Sequence, residues 1–251
     1  MILFGRRVPM MFSLVVWALV WEIVGRAGWL LLIPPFSAVL GECLELAHNE
    51  TFRGAAVTTL AAFASGMGIS IAVGVPLGVL MARVEVADRI LGMWVNVFLS
   101  APLTALVPII MILFGFGQTT IVITVVLFAV WIIVLDTRAG IRHVSPSLLE
   151  MARSLCATRW QLYTRVMLLA ALPEMLAGIR LGLIRGVKGV VIGQLLVSIV
   201  GFGELFELYS RNFLMEKFWA LTIILFAFAI VASELVAMLE RRIEYYAGAR
   251  G

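Results

Sequence analysis

Few residues in this chain could carry chemistry, and they are unevenly placed. His48 and His143 are far apart, Cys43 and Cys156 likewise, and no glycine-rich phosphate loop ending in Lys-Ser or Lys-Thr occurs. No His/Asp/Glu or Ser/His/Asp grouping suggests covalent or acid–base catalysis. Two sets of polar residues remain. One lies in "SPSLLEMARSLCATRWQLYTRVMLLAALP", Ser145 to Pro173, where Ser147, Glu150, Met151, Ala152, Arg153, Ser154, Leu155, Cys156 and Ala157 form a mixed charged and apolar run. The other is Lys188, Gln194 and Ser198, inside a long oily stretch. The first suits recognition of another protein. The second suits passage or binding of a polar solute, because polar groups in lipid are costly and often functional.

The surroundings explain why lipid is the reference solvent. Of 251 residues, 63% are hydrophobic and 14% charged, with a mean hydropathy of +1.08. A soluble domain is roughly 45–50% apolar and about 25% charged. The net charge of +4 is spread over short loops, so it is not a nucleic-acid footprint. Six apolar stretches are expected as membrane helices, at about 9–28, 57–81, 92–114, 119–137, 174–200 and 218–239. Arg6 and Arg7 before the first run resemble a signal peptide, but the run is long and lacks a clear cleavage site, so a retained span is expected.

Orientation follows from Lys and Arg in short loops. One set of ends holds Arg6, Arg7, Arg83, Arg89, Arg138, Arg142, Arg153, Arg159, Arg165, Arg241, Arg242 and Arg250; the other holds Arg26, Arg53, Arg211 and Lys217. Both termini are therefore expected in the cytoplasm. Residues Ser37 to Ala47 read as an amphipathic helix on the outer surface. Cys43 and Cys156, and the two histidines, then fall on opposite sides, which excludes an intrachain disulfide or shared metal.

The insert reads as two short helices. Ser145-Pro146 is an N-cap followed by Pro at the first helical position, Ser147-x-x-Glu150 is a capping box, and Thr158-x-x-Gln161 is a second. A corner is expected near Cys156–Ala157. Leu149, Ala152, Cys156, Trp160 and Tyr163 make an apolar stripe, with Glu150, Arg153, Ser154 and Arg159 off it. A helix resting on headgroups or on the bundle base would show the same periodicity.

"LLEMARSLCATRWQLYTRVMLLAALP" resembles the EAA loop of binding-protein-dependent ABC importer permeases. Glu150, Met151 and Ala152 stand for Glu-Ala-Ala, Cys156 stands where the family has Gly, and Leu172-Pro173 closes the motif. "DTRAGIRHVSPSLLEMARSL", "ALPEMLAGIRLGL" and "SAPLTALVPIIMILFGFGQTTIVI" are similar to the sulfonate, taurine and nitrate branch. The resemblance spans roughly residues 58–242. It implies an all-α, six-helix type I importer transmembrane domain that is not itself an enzyme, in a bacterial-type cytoplasmic membrane. It implies a coupling helix around Glu150 and Arg153 that docks on a cytoplasmic ATP-binding subunit, with Ala152 small for close approach. The implied partners are two copies of that subunit, a second permease copy, an external solute-binding protein and membrane lipid. ATP and Mg belong to the ATPase, with no cofactor in this chain. Two departures stand out, Met151 for a small residue and Cys156 for the corner glycine. If Cys156 needs a positive φ it costs on the order of 1 kcal/mol; otherwise the backbone there is ordinary or the corner shifts to Ala157–Thr158.

The organisation expected is a first span and external segment at 1–56, a permease core at 57–242 with a coupling loop at about 138–173, and a tail at 243–251. Lys188 lies fifteen residues beyond Pro173, about 22 Å along a helix. It faces an aqueous path that favours anions, pairs with Asp136 or Glu204, or belongs to a span shifted in depth. Gln194 and Ser198 are further candidates for the path, though the three do not share one stripe. Glu22 and Arg26 read as a clamp, and Gly66, Gly74, Gly78, Gly182, Gly186 and Gly189 as close helix contacts. An ion-driven transporter would need paired deep carboxylates and an inverted repeat, and an energy-coupling-factor subunit a second coupling motif. Neither feature is visible in the sequence.

Overall fold

The computed structural model describes residues 2–3, 6–7, 10–28, 30, 32–197 and 199–248. A minimal antiparallel pairing of Ile2–Leu3 with Arg6–Arg7 precedes an otherwise helical chain. The helices are α1 (Met10–Ala27), α2 (Phe36–His48), α3 (Glu50–Arg83), α4 (Glu85–Ser100), α5 (Val107–Phe114), α6 (Gln118–Arg142), α7 (Pro146–Ser154), α8 (Arg159–Gln161), α9 (Leu168–Val197), α10 (Phe202–Arg211) and α11 (Met215–Gly248). Among the described residues four helical stretches are long and apolar enough to span a membrane: Glu50–Arg83, Gln118–Arg142, Arg159–Val197 and Met215–Leu235. The expected first span coincides with α1, whose 18 residues sit at the short end of the ~17–25 needed.

The expected third span is not one helix. Glu85–Ser100 and Leu103–Phe114 meet at 97°, making a fifth crossing only if the bent pair is counted as one span. Pro102 explains the break: it drives the preceding Ala101 to φ −70°, ψ 147°, outside the helical region. α4 is held at its start by Asp88, which pairs with Arg138 Nε at 2.5 Å and Arg142 Nη2 at 2.8 Å on the end of α6.

The second and fifth spans are longer than expected. α3 starts at Glu50 because Asn49 Oδ1 accepts from the N–H groups of Thr51 and Phe52. It continues through Pro76, just as α9 continues through Pro173. Proline is tolerated in membrane helices where neighbours compensate the lost backbone bond. The fifth span therefore begins at Arg159, well before the expected boundary at 174.

α6 is the centre of the bundle, packed most extensively against α9 and α3. Its neighbours meet it through glycine. A Cβ at Gly78 would lie 2.6 Å from Thr137 Cβ, one at Gly178 2.6 Å from Asp136 Cβ, and Ile133 fits against both Gly74 and Gly182. These contacts confirm the packing role read for the span glycines. Buried hydroxyls bond within their own helices, as Thr124 Oγ1 does to Thr120 O at 2.7 Å and Ser70 Oγ to Gly66 O at 2.7 Å.

At the end opposite α7, α2 forms where an amphipathic helix was expected, but its apolar face meets protein and not lipid. Val39 and Leu46 are buried in one cluster with Phe202, Leu205 and Leu221. Cys43 points to Ala220 O at 3.7 Å; burial pushes its thiol upward, with the Glu42 carboxylate adding to the effect, so it stays protonated and inert. The Glu22–Arg26 clamp forms, at 2.6 Å. Glu22 also accepts from Ser37 N and Oγ, both at 2.9 Å, fastening α1 to the first turn of α2.

The packing predicts a contrast between two glycines. Gly178→Val forces a methyl-bearing carbon into Asp136 and lowers stability by about 1–3 kcal/mol. Gly54→Ala, with nothing within 4 Å of the added carbon, is neutral or stabilising. Thermal unfolding midpoints of the purified variants in one detergent measure both.

Candidate functional site

The polar insert folds as α7, a corner, and a second helix that does not stop. Ser145 is the N-cap, with φ −60° and ψ 135°, and Pro146 opens the helix. The capping box expected at Ser147 and Glu150 does not form; Ser147 Oγ lies 3.4 Å from Ser145 Oγ. The reason is register, since the helix begins one residue before Ser147. The second box does form: Thr158 N donates to Gln161 Oε1 at 2.9 Å, and Gln161 N to Thr158 Oγ1 at 3.3 Å. It starts α8, which passes through a π-helical turn at Leu162–Met167 directly into α9. The expected second short helix is thus the first turn of a 39-residue one.

The corner lies at Cys156, whose φ is +55°. Cys156 N donates to Arg153 O at 2.9 Å, and Ala157 N to Ala152 O at 3.1 Å. These are the two bonds of a Schellman ending, with Cys156 in the left-handed position that glycine usually takes. The alternatives of an ordinary backbone or a shifted corner are thereby excluded. Phe213 ends α10 in the same way, with φ +54° and a bond from Leu214 N to Tyr209 O at 2.8 Å.

The expected stripe is only half buried. Ala152 is buried and Leu149 half-buried, but Cys156 is exposed and Trp160 is 75% exposed. Ala152 is thus buried within its own chain, where α7 packs on the Leu162–Met167 turn. The outward face carries Glu150, Arg153, Ser154, Met151 and Leu155, with Leu155 77% exposed. Apolar side chains, a carboxylate and a guanidinium are thus exposed together on one short helix. Behind it, the Arg83 guanidinium at the end of α3 lies 3.6 Å over the Tyr163 ring, tying the π turn to the bundle.

The deep polar candidates are separated. Lys188 is exposed on α9, and no carboxylate lies within ion-pair distance among the described residues, so the pairings with Asp136 and Glu204 do not form. Glu174, next to Asp136 across the α6–α9 contact, instead meets His143 Nδ1 at 2.8 Å. Gln194 is 1% exposed, with Nε2 donating to Thr59 Oγ1 at 2.8 Å. It is placed in the helix core. Ser198 lies outside the described residues. Sequence reasoning missed Thr59 and Gly201. Thr59 Oγ1 also accepts from Phe202 N at 3.3 Å and donates to Ala55 O at 2.8 Å, so α3, α9 and α10 meet on one hydroxyl. Gly201 has φ +64°, and a Cβ there would sit 2.4 Å from Gln194 Nε2. The local signal was the Val-Gly-Phe-Gly run at residues 200–203, a turn with no room for side chains.

The comparisons with known proteins bear on the family and the fold. Residues 74–245 match the family of binding-protein-dependent transport system inner membrane components. The chain is 28% identical over 207 residues to the taurine transport system permease protein TauC of Escherichia coli (strain K12), covering 80% of this chain and 73% of that one. It is 31% identical over 153 residues to the carnitine transport permease protein OpuCD of Listeria monocytogenes serotype 1/2a (strain 10403S), covering 59% and 65%. Its fold is similar to a chain of the inward-facing MetNI methionine ABC transporter, with a TM-score of 0.65, 20% identity and coverage of 78% of this chain and 99% of that one. The protein belongs to the family of binding-protein-dependent transport system inner membrane components, with the fold of a type I ABC importer transmembrane domain. It is a multi-pass inner-membrane permease, and in such systems ATP hydrolysis resides on a separate subunit.

Two substitutions test this geometry. Cys156→Gly relieves the left-handed residue by about 1 kcal/mol, so amide exchange of the α7 C-terminal turn slows; Cys156→Val speeds it. Thr59→Val leaves the Gln194 amide and the Phe202 N–H without their acceptor, at a loss of about 1–3 kcal/mol. That loss lowers the thermal midpoint and deprotects the start of α10 to hydrogen exchange.

Proposed function

We propose that this chain is the translocating subunit of an ATP-driven importer and that α7 is its coupling helix. The observation that carries the reading is the outward face of α7. Met151, Leu155 and Trp160 are exposed beside Glu150 and Arg153, on the short polar connection between two spans. The arginine-rich loop ends put that connection, and both termini, in the cytoplasm. Lipid cannot satisfy such a face, and a groove on a cytoplasmic ATP-binding subunit can. The assembly in this reading is a homodimer with two ATP-binding subunits, which carry ATP and Mg, and an external solute-binding protein. Closure of the ATPases moves the two permease copies as rigid bodies between inward and outward openings. The core is 57–242, and the part of the loop that docks is Ser147 to Ala157.

The cargo in this reading is a small polar or anionic organic nutrient. The taurine and carnitine of the relatives' names are both small molecules with an acid group. The solute-binding protein sets most of the choice between them.

Co-purification from mild detergent tests the docking face. The tagged wild-type chain, co-expressed with the ATP-binding subunit, retains that subunit. Glu150→Arg and Leu155→Asp each lose it by tenfold or more, while Gln161→Ala, beyond the corner, leaves it bound. Retention in both charge variants removes the reading of α7 as the coupling helix.

A further inference from the structure

We propose that the groove between α9, α10 and α11 binds a small soluble organic anion with a flat or apolar body, with Lys188 as its counter-charge. The proposal rests on the reading of this chain as a permease and adds a substrate-class site to it. The groove has a volume of about 540 Å³, and its walls include Lys188, Phe206, Phe218, Trp219, Thr222 and Phe226. That volume is in the range of pockets that enclose a small organic ligand.

Lys188 carries the one charge among the lining residues. It lies nine residues before the end of α9 at Val197, about 14 Å along the axis. Within the span expected at 174–200, about the length needed to cross a hydrocarbon core about 30 Å thick, Lys188 is near the middle. The other polar groups on the wall are already satisfied: Trp219 Nε1 donates to Leu32 O at 2.9 Å and Thr222 Oγ1 to Phe218 O at 2.9 Å. An ammonium without a carboxylate partner, against an apolar wall, attracts an anion more strongly than it would in water. Aromatic side chains supply contact area for a planar or methylene body. The charge excludes cations, and the chemistry selected is a carboxylate or sulfonate.

An anionic phospholipid offers the same charge, but its phosphate belongs at the interface, roughly 14 Å above Lys188 by the same helical rise. The geometry therefore favours a soluble anion that enters the groove whole.

The test uses the full chain in nanodiscs of zwitterionic lipid, with benzenesulfonate as probe and neutral benzenesulfonamide as its near-isostere. Equilibrium dialysis is expected to show saturable benzenesulfonate binding, weakened tenfold or more in Lys188→Met and retained in Lys188→Arg. Phe226→Ala, which keeps the charge, weakens it severalfold. The sulfonamide does not saturate. Absence of saturable binding, equal binding by Lys188→Met, or equal binding of the sulfonamide overturns the proposal. So does displacement of the probe by phosphatidylglycerol in the disc, which makes lipid the occupant. Retention of the ATP-binding subunit reads α7 and not this groove, so the two readings fail separately.

Discussion

The approach of α6 to α3 and α9 at near backbone distance is the constraint on which the rest of the structure depends. In lipid no hydrophobic force drives one helix against another, so association relies on close packing and internal hydrogen bonds. Glycine supplies the closeness. Thr137 lies where Gly78 has no side chain, Asp136 where Gly178 has none, and Ile133 fits two glycines at once. The ion pairs at the helix ends are arranged around that contact. Asp88 brings α4 to Arg138 and Arg142 at one end of α6, and Glu174 on α9 reaches His143 just beyond the same end.

The helical stretch Arg159–Val197 joins the two candidate sites. Its 39 residues run about 58 Å at helical rise. One end follows the Cys156 corner and carries the Arg83–Tyr163 stack. The other end carries Gln194, whose amide meets Thr59 and, through that hydroxyl, the start of α10. Lys188 sits on the same helix between them. In the proposed mechanism a push on α7 is therefore delivered to a continuous rod, through a π turn whose i→i+5 bonding leaves slack in the ladder.

What was legible in the sequence was local. The Ser145-Pro146 start and the Thr158–Gln161 box depend on residues three apart or less; both helix starts formed, the second with its side-chain bonds. The glycine faces were legible because small residues in an oily helix have few other uses. Cys156 was harder to read. The left-handed ending is usually announced by glycine, and here two backbone hydrogen bonds close it without that signal. The prolines behaved differently. Pro102 breaks a helix, at 97°, as its residue type suggests, whereas Pro173 was read as a boundary and lies inside α9. Gln194 was read as exposed to a path because its partner Thr59 is 135 residues away in the chain. The turn that seals it, at Gly201, has no counterpart in periodicity.

The placement of polar groups separates structural from functional ones more sharply than their identity does. Gln194 and Thr59 lie deep, but their hydrogen bonds join three helices, and burial removes them from any solute. Asp88 and Glu22 are charged, yet each is spent on fastening one helix to another. The face of α7 and the ammonium of Lys188 have no such internal task. α7 keeps Ala152 against its own chain and turns Leu155, Glu150 and Arg153 outward. Lys188 stands on a wall of apolar and aromatic side chains with no carboxylate beside it. A charge or apolar side chain left unsatisfied by its own fold is satisfied by something else, so these two places are where a partner subunit and a solute have physical reason to bind.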